Sequence, residues 1–240
     1  MNTPVAPRDC ASTSAEPLTL TSTKLVLWDL DGPLFHTLPV MRAAWQRVRE
    51  LYGISASFDD YAEHLGRPFV DILRILGLDL PQDQPARIQS TYLTASQENA
   101  ELATPPPGVE EVLQWLDSHG FGLGVVTSKS WRTAGPLLDR FAVPWAVVRT
   151  PGRERGKPAP DSLLLAVTDV GVDPCEALYI GDMAVDQQAA NRAGIPYVHA
   201  DWGYGSPEPP CAVVLSDPTE LPALLPIRGA KTARQGSHEQ

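Results

Sequence analysis

Four short stretches of this sequence bring together residue types that can act on phosphorus. Asp29-Leu30-Asp31-Gly32 offers two carboxylates two positions apart, and Gly181-Asp182 with Asp186 offers two more. Thr127-Ser128-Lys129 and Gly156-Lys157-Pro158 add hydroxyls and positive charge. Carboxylates two residues apart on an extended segment can face the same side, and a third arriving from another strand makes a hard-oxygen site suited to Mg²⁺. Without a cation such a group repels itself. With one, a carboxylate can attack phosphorus while its neighbour, its pKa raised by the like charge, protonates the leaving oxygen. A threonine hydroxyl and a lysine ammonium then suit the phosphoryl oxygens, over which transition-state charge spreads.

The elements that must position these groups are short apolar runs. Lys24 to Leu30 reads as a buried strand ended by the turn Asp31-Gly32-Pro33, and Gly122 to Thr127, Trp145 to Val148, Ala177 to Ile180, Ile195 to His199 and Ala212 to Leu215 repeat the pattern. Helical stretches fall between them at Val109–His119, Trp131–Phe141, Pro160–Val170 and Ala184–Ala193. This alternation predicts an α/β fold, a Rossmann-like parallel sheet covered on both faces, in which ligands bind at the carboxyl ends of the strands. The interval His36 to Thr104 has no convincing strand but shows amphipathic patterns at Val40–Tyr52, Phe69–Leu76 and Gln84–Leu102, so it reads as a helical insert, or cap. Its exit, Thr104-Pro105-Pro106-Pro107-Gly108, is stiff enough to separate two moving bodies. The expected organisation is a leader over 1–23, a core over 24–35 and 105–227, a cap over 36–104 and a flexible tail over 228–240. A single domain with a few extra helices is the plainer alternative.

Composition narrows the function. The 240 residues carry a formal charge of −10, which weighs against nucleic acid as a partner because phosphate-backbone binding needs a positive field. Hydrophobic residues at 43% support a packed core, yet no apolar run approaches the roughly 18 residues of a membrane helix, so no membrane partner is expected. Three cysteines, Cys10, Cys175 and Cys211, form no Cys-x-x-Cys pair, and a reducing cytoplasm fits them best.

Any one of the motifs alone is ordinary turn or cap chemistry; their order and strand context give them weight. Taken together over Lys24 to Leu225, they resemble the haloacid dehalogenase superfamily of phosphohydrolases with a helical cap, most closely its phosphoglycolate phosphatase-like branch. The resemblance implies Asp29 as nucleophile, Asp31 as acid/base and, through its carbonyl, a Mg²⁺ ligand, Asp182 as a metal ligand and Asp186 as a supporting or water-mediated one. It also implies Gly32, Thr127, Ser128 and Lys157 as phosphate-binding residues, and Arg67, in Leu65-Gly66-Arg67-Pro68, as a clamp for a substrate carboxylate or distal phosphate. Trp202-Gly203-Tyr204-Gly205 resembles the loop that commonly follows the last core strand in this branch.

Two positions depart from the pattern. Pro33 stands where the family usually has Thr, removing a backbone donor and stiffening the first hinge, and His36 stands where an acidic residue is common. The cap interval holds none of the four lysines, which closes a cap-lysine Schiff-base route and lowers a mutase reading. Arg149, Arg153, Arg155 and Lys157 gather positive charge that is expected to steer an anionic substrate. The leading expectation is a cytoplasmic, monomeric or homodimeric Mg²⁺-dependent phosphatase acting on a small phosphorylated metabolite through an aspartyl-phosphate. The alternatives are a phosphosugar mutase or pyrophosphatase on the same scaffold, and a non-catalytic phosphate-binding protein.

Overall fold

Six apolar segments pair as one parallel sheet: β1 (Leu25–Trp28), β2 (Gly122–Val126), β3 (Val147–Arg149), β4 (Ala177–Gly181), β5 (Tyr197–Ala200) and β6 (Val214–Leu215), in the order β3-β2-β1-β4-β5-β6. The computed structural model describes residues 20–78, 84–209, 211 and 213–226. Every residue of β1 is buried, and its side chains alternate between two cores. Val26 and Trp28 join Leu123, Val125 and the inner faces of α5 (Val109–Ser118) and α6 (Trp131–Leu138). Leu25 and Leu27 join Tyr179 and the inner faces of α7 (Asp161–Val170) and α8 (Ala184–Ala193). A central strand buried on both faces needs apolar residues at every position, which is why Leu-Val-Leu-Trp runs without polar alternation.

The interval after β1 folds as α1 (Leu38–Tyr52), α2 (Phe58–Ala62), α3 (Phe69–Ile75) and α4 (Gln84–Glu98), ending in a 3₁₀ turn at Ala100–Leu102. These helices enclose an apolar cluster of their own, with Met41, Trp45, Tyr61, Ile72, Ile88 and Tyr92 among its buried members. Trp45 stacks on Tyr61 at 4.7 Å between ring centres, and its indole N–H donates to the Ala56 and Ser57 carbonyls. The chain leaves and re-enters the sheet unit through two linking segments that meet in an isolated antiparallel bridge, where the His36 N–H donates to the Thr104 carbonyl at 2.8 Å.

Several boundaries differ from the sequence reading. Helix α2 was not expected, although Ser57 and Asp60 form a reciprocal capping box whose Ser-x-x-acid spacing signals a helix start. Strand β3 begins at Val147 rather than Trp145, because only Val147–Arg149 finds register with Gly124–Val126. Residues 20–23, counted into the leader, are packed: Leu20 and Thr23 are buried, and Leu20 belongs to the sheet core. The rest of the expected leader and the expected tail lie outside the described residues, as does Ala212 of the sixth strand. Among the described residues no helix is long and apolar enough to cross a membrane.

Candidate active site

Strand order reverses at β1, so the carboxyl ends of β1 and β4 lie side by side, the usual ligand crevice of an open parallel sheet. Asp29 follows β1 directly, its N–H still in the ladder to the Ile180 carbonyl at 2.8 Å, and Asp182 follows β4. Between them the chain turns at Gly32, whose φ of +108° suits glycine, and a Cβ there would stand 2.2 Å from Asp182 Oδ2. Its missing side chain lets the two loops close on each other. Gly32's N–H is taken by the Phe35 carbonyl at 2.9 Å, so what Gly32 gives the site is space.

Asp29, Asp182 and Asp186 are buried with one carboxylate oxygen from each lying within 4.8 Å of the others. Lys157 stands among them: its Nζ donates to Asp29 Oδ1 at 2.6 Å, to Asp186 Oδ1 at 2.7 Å and to the Tyr179 hydroxyl at 2.7 Å. The Tyr179 hydroxyl in turn faces Asp186 Oδ1 at 2.9 Å. The other Asp186 oxygen accepts the Met183 N–H, so both its oxygens are engaged, in keeping with a supporting role. Asp182 Oδ2 accepts the Tyr204 N–H at 2.6 Å, whereas its Oδ1 is buried with no hydrogen-bond partner.

The electrostatics follow from that crowding. Burial, above all, pushes Asp29 from 3.8 up to about 7; Lys157 opposes the rise, and the charges of Asp186 and Asp31 add to it. Burial, then the charges of Asp186 and Asp29, hold Asp182 well above the usual carboxylate range. Burial pulls the Lys157 ammonium down, but Asp186 and Asp29 outweigh it and the group stays charged. Fully ionised, three carboxylates facing one ammonium would carry two negative charges in excess, which is why burial keeps protons on Asp29 and Asp182 in the absence of a cation. An all-oxygen set with that excess, and with a buried Asp182 oxygen lacking a partner, fits a hard divalent cation.

Asp31 points away from this trio. Its Oδ1 accepts the Thr37 hydroxyl at 2.6 Å and pairs with Lys129 Nζ at 3.1 Å. Thr37 occupies the cap position of α1 but makes no side-chain bond to the helix; its hydroxyl serves Asp31 instead. Tyr204 reaches the same spot, its hydroxyl accepting the Thr37 N–H at 2.5 Å while its own backbone N–H holds Asp182. Trp202 braces the turn by donating to the Pro33 carbonyl at 3.1 Å. Sequence reasoning singled out neither Thr37, Tyr179 nor Lys129 as site residues. Only Lys129 carried a signal, as a lysine directly after Thr127-Ser128 in a chain with four lysines.

A cavity of about 320 Å³ opens from Asp29 and Asp31 toward the helical unit, and a second of about 440 Å³ is lined by Thr127, Ser128 and Lys157. Arg67, Pro68, Ser128 and Pro151 line both. Thr127 is buried with its hydroxyl accepting the Lys129 N–H, and the Ser128 hydroxyl donates to the Gly66 carbonyl at 2.6 Å, tying the sheet unit to the α2–α3 loop. Arg67 is exposed on that loop. The expected cluster of four steering cations is thinner than its sequence: Arg149 pairs with Asp169 and Arg155 with Asp161, while Lys157 is buried among carboxylates. Arg153 remains exposed.

Residues 23–194 match the family of haloacid dehalogenase-like hydrolases, and the chain belongs to that family. Its relatives place it in the phosphoglycolate phosphatase-like branch. It is 34% identical over 215 residues to an N-acetylmuramic acid 6-phosphate phosphatase of Pseudomonas aeruginosa, covering 84% of this chain and 94% of the relative. It is also 34% identical over 223 residues to a phosphoglycolate phosphatase of Cupriavidus necator, covering 87% and 96%. A solved structure described as a predicted phosphoglycolate phosphatase from Haemophilus somnus shares the fold, with a TM-score of 0.76 at 23% identity over 85% of this chain and 98% of the other.

Proposed function

We propose that this phosphoric monoester hydrolase is a Mg²⁺-dependent phosphatase that cleaves a small phosphomonoester through an aspartyl-phosphate on Asp29. The observation that carries the reading is the buried trio Asp29, Asp182 and Asp186 around Lys157 at the crevice between β1 and β4. When bound, Mg²⁺ would be held by Asp29 and Asp182, with the Asp31 carbonyl and Asp186 in support, and would offset negative charge on the carboxylates and the phosphoryl group.

The chain's own residues then divide the work. The Asp29 carboxylate forms a bond to phosphorus as the ester oxygen–phosphorus bond breaks. Asp31, held by Thr37 and Lys129, gives its proton to the departing oxygen and later takes one from the water that releases phosphate. Lys157, Thr127 and the Ser128 amide bind phosphoryl oxygens, and Arg67 the remainder of the substrate. Residues 36–104 act as a cap over a core of 24–35 and 105–227, moving about the paired linkers at His36 and Thr104 to exclude bulk water. The reading includes a cytoplasmic setting, which suits a chain with three cysteines and no Cys-x-x-Cys pair, and a monomer or homodimer.

Phosphate release from a panel of phosphorylated metabolites, with Mg²⁺ and with a chelator, tests the reading. Release that needs Mg²⁺ is the expected result, and undiminished release in the chelator would refute the metal requirement.

Thermal unfolding supplies a second check. The folded pKa of Asp29, about 7 against 3.8 unfolded, means that the folded state binds the extra proton. Its stabilising contribution is complete below the unfolded value and is lost as pH rises through the folded one. Metal-free protein should therefore melt at a lower temperature at pH 8 than at pH 5, and saturating Mg²⁺, which competes with that proton, should flatten the difference. A metal-free melting temperature that is constant from pH 5 to pH 8 would contradict the assigned environment of Asp29.

A further inference from the structure

Tyr204 belongs to two parts of the molecule at once. Its backbone lies in the loop that follows β5, which packs so closely on Asp182 that a Cβ at Gly203 would stand 2.2 Å from Asp182 Cβ. Its N–H fixes Asp182 Oδ2 at 2.6 Å. Its ring packs against the apolar cluster of the helical unit, and its hydroxyl ends between Phe35 and Thr37, in the linker that leads from the sheet unit to α1.

The hydroxyl is fully engaged there. It accepts the Thr37 N–H at 2.5 Å and gives its own proton to the Phe35 carbonyl at 3.2 Å. That carbonyl also accepts the Gly32 N–H at 2.9 Å, which closes the turn that carries Asp31. Thr37 is buried; with its N–H held by the phenol, its hydroxyl turns to Asp31 Oδ1 at 2.6 Å and makes no cap bond to α1. Lys129 pairs with the same oxygen at 3.1 Å, so both donors engage Oδ1 and leave Oδ2 to carry the transferable proton. Without the phenol, the Thr37 N–H would lose its partner and Thr37 its fixed place. Lys129 alone, a point charge on a flexible stem, would hold the carboxylate poorly.

Resting on the reading of Asp31 as the acid, we propose that Tyr204 is a positioning residue for proton delivery: through Thr37, its hydroxyl holds the Asp31 carboxylate where the departing ester oxygen receives the proton. Its effect is therefore confined to steps in which Asp31 moves a proton. Nitrophenolate departs from phosphorus with little help, whereas unsubstituted phenolate, a stronger base, needs the acid more.

The test is kcat/KM with Mg²⁺ for phenyl phosphate and 4-nitrophenyl phosphate, since this quantity reports cleavage of the ester bond and not the later hydrolysis that both substrates share. Tyr204→Phe keeps the ring and the N–H to Asp182. It should lose on the order of tenfold more on phenyl phosphate than on 4-nitrophenyl phosphate, a fraction of the roughly 10²–10⁴-fold that a general acid supplies. Comparing two substrates in one preparation cancels any loss of folded protein. Thr37→Val, which takes the hydroxyl from Asp31, should show the same selective loss, and Thr37→Ser should restore most of the parent's pattern. The double variant Tyr204→Phe/Thr37→Val should lose little more than Thr37→Val, because the two residues act in series. Equal losses on the two esters in Tyr204→Phe, no loss on either, or additive losses in the double variant would overturn the inference and leave the phosphatase reading standing. Failure of the parent to release phosphate from both esters and from the metabolite panel would overturn the phosphatase reading itself, and this inference with it.

Discussion

Asp29→Asn should abolish turnover, lowering phosphate release on the order of 10⁴-fold or more while the protein stays folded. The two side chains have the same shape, and the Asn amide oxygen can still accept the Lys157 ammonium that lies 2.6 Å from Asp29 Oδ1. What is lost is the negative oxygen that must bond to phosphorus. The substitution also has an opposite effect on stability. Ionised Asp29 is disfavoured by burial and by Asp186 and Asp31, so metal-free Asp29→Asn should melt above the parent at pH 8, by a margin that narrows at pH 5 and closes only as pH falls to the unfolded value of 3.8. Parent-like activity on phenyl phosphate would remove Asp29 as nucleophile. Loss of activity with a fall in melting temperature at pH 8 would mean that the fold, not the chemistry, had failed.

Lys157→Met should damage both stability and catalysis. Its ammonium is the cation that contacts Asp29 and Asp186 within the buried trio, and the Tyr179 hydroxyl completes its shell. Removing one partner of a buried charge pair leaves an uncompensated charge and typically costs about 3–5 kcal/mol. Chemical unfolding of the metal-free variant should show that loss, and Mg²⁺ should recover more stability in the variant than in the parent, since the cation then carries all of the compensation. The rate should fall by about 10²–10³-fold even at saturating Mg²⁺, the usual scale for a deleted group that faces developing charge. A variant with the parent's unfolding midpoint would show that Lys157 does not balance the carboxylates.

What could be read from the chain follows from how each residue reaches the site. Asp29, Asp182 and Thr127 sit directly after apolar strands, and position after a strand is a local property visible in a few letters. Lys157 lies in a loop, and its loop position gave no local reason to bury it; its charge type beside the aspartate motifs, and then the family resemblance, marked it. Tyr179 was hidden differently, because a tyrosine inside a buried strand reads as core and its hydroxyl finds Lys157 across 22 positions of chain. Tyr204 and Thr37 meet across 167 positions, a distance at which nothing in the spacing of either residue signals the other.

The sequence by itself determined the alternation of strands and helices, the helical insertion after β1 and the carboxylates that end β1 and β4, because burial on two faces and turn chemistry are written locally. Tertiary structure decided which groups share charge. It sorted the acidic residues into a buried trio around Lys157 and a separate Asp31 held by Thr37 and Lys129, and it paired off Arg149 and Arg155 with their own carboxylates. Those outcomes depend on strand order, which sets β1 beside β4, and on a glycine small enough to let their loops touch. Coulomb energy depends on distance and burial, and neither exists until the sheet has formed.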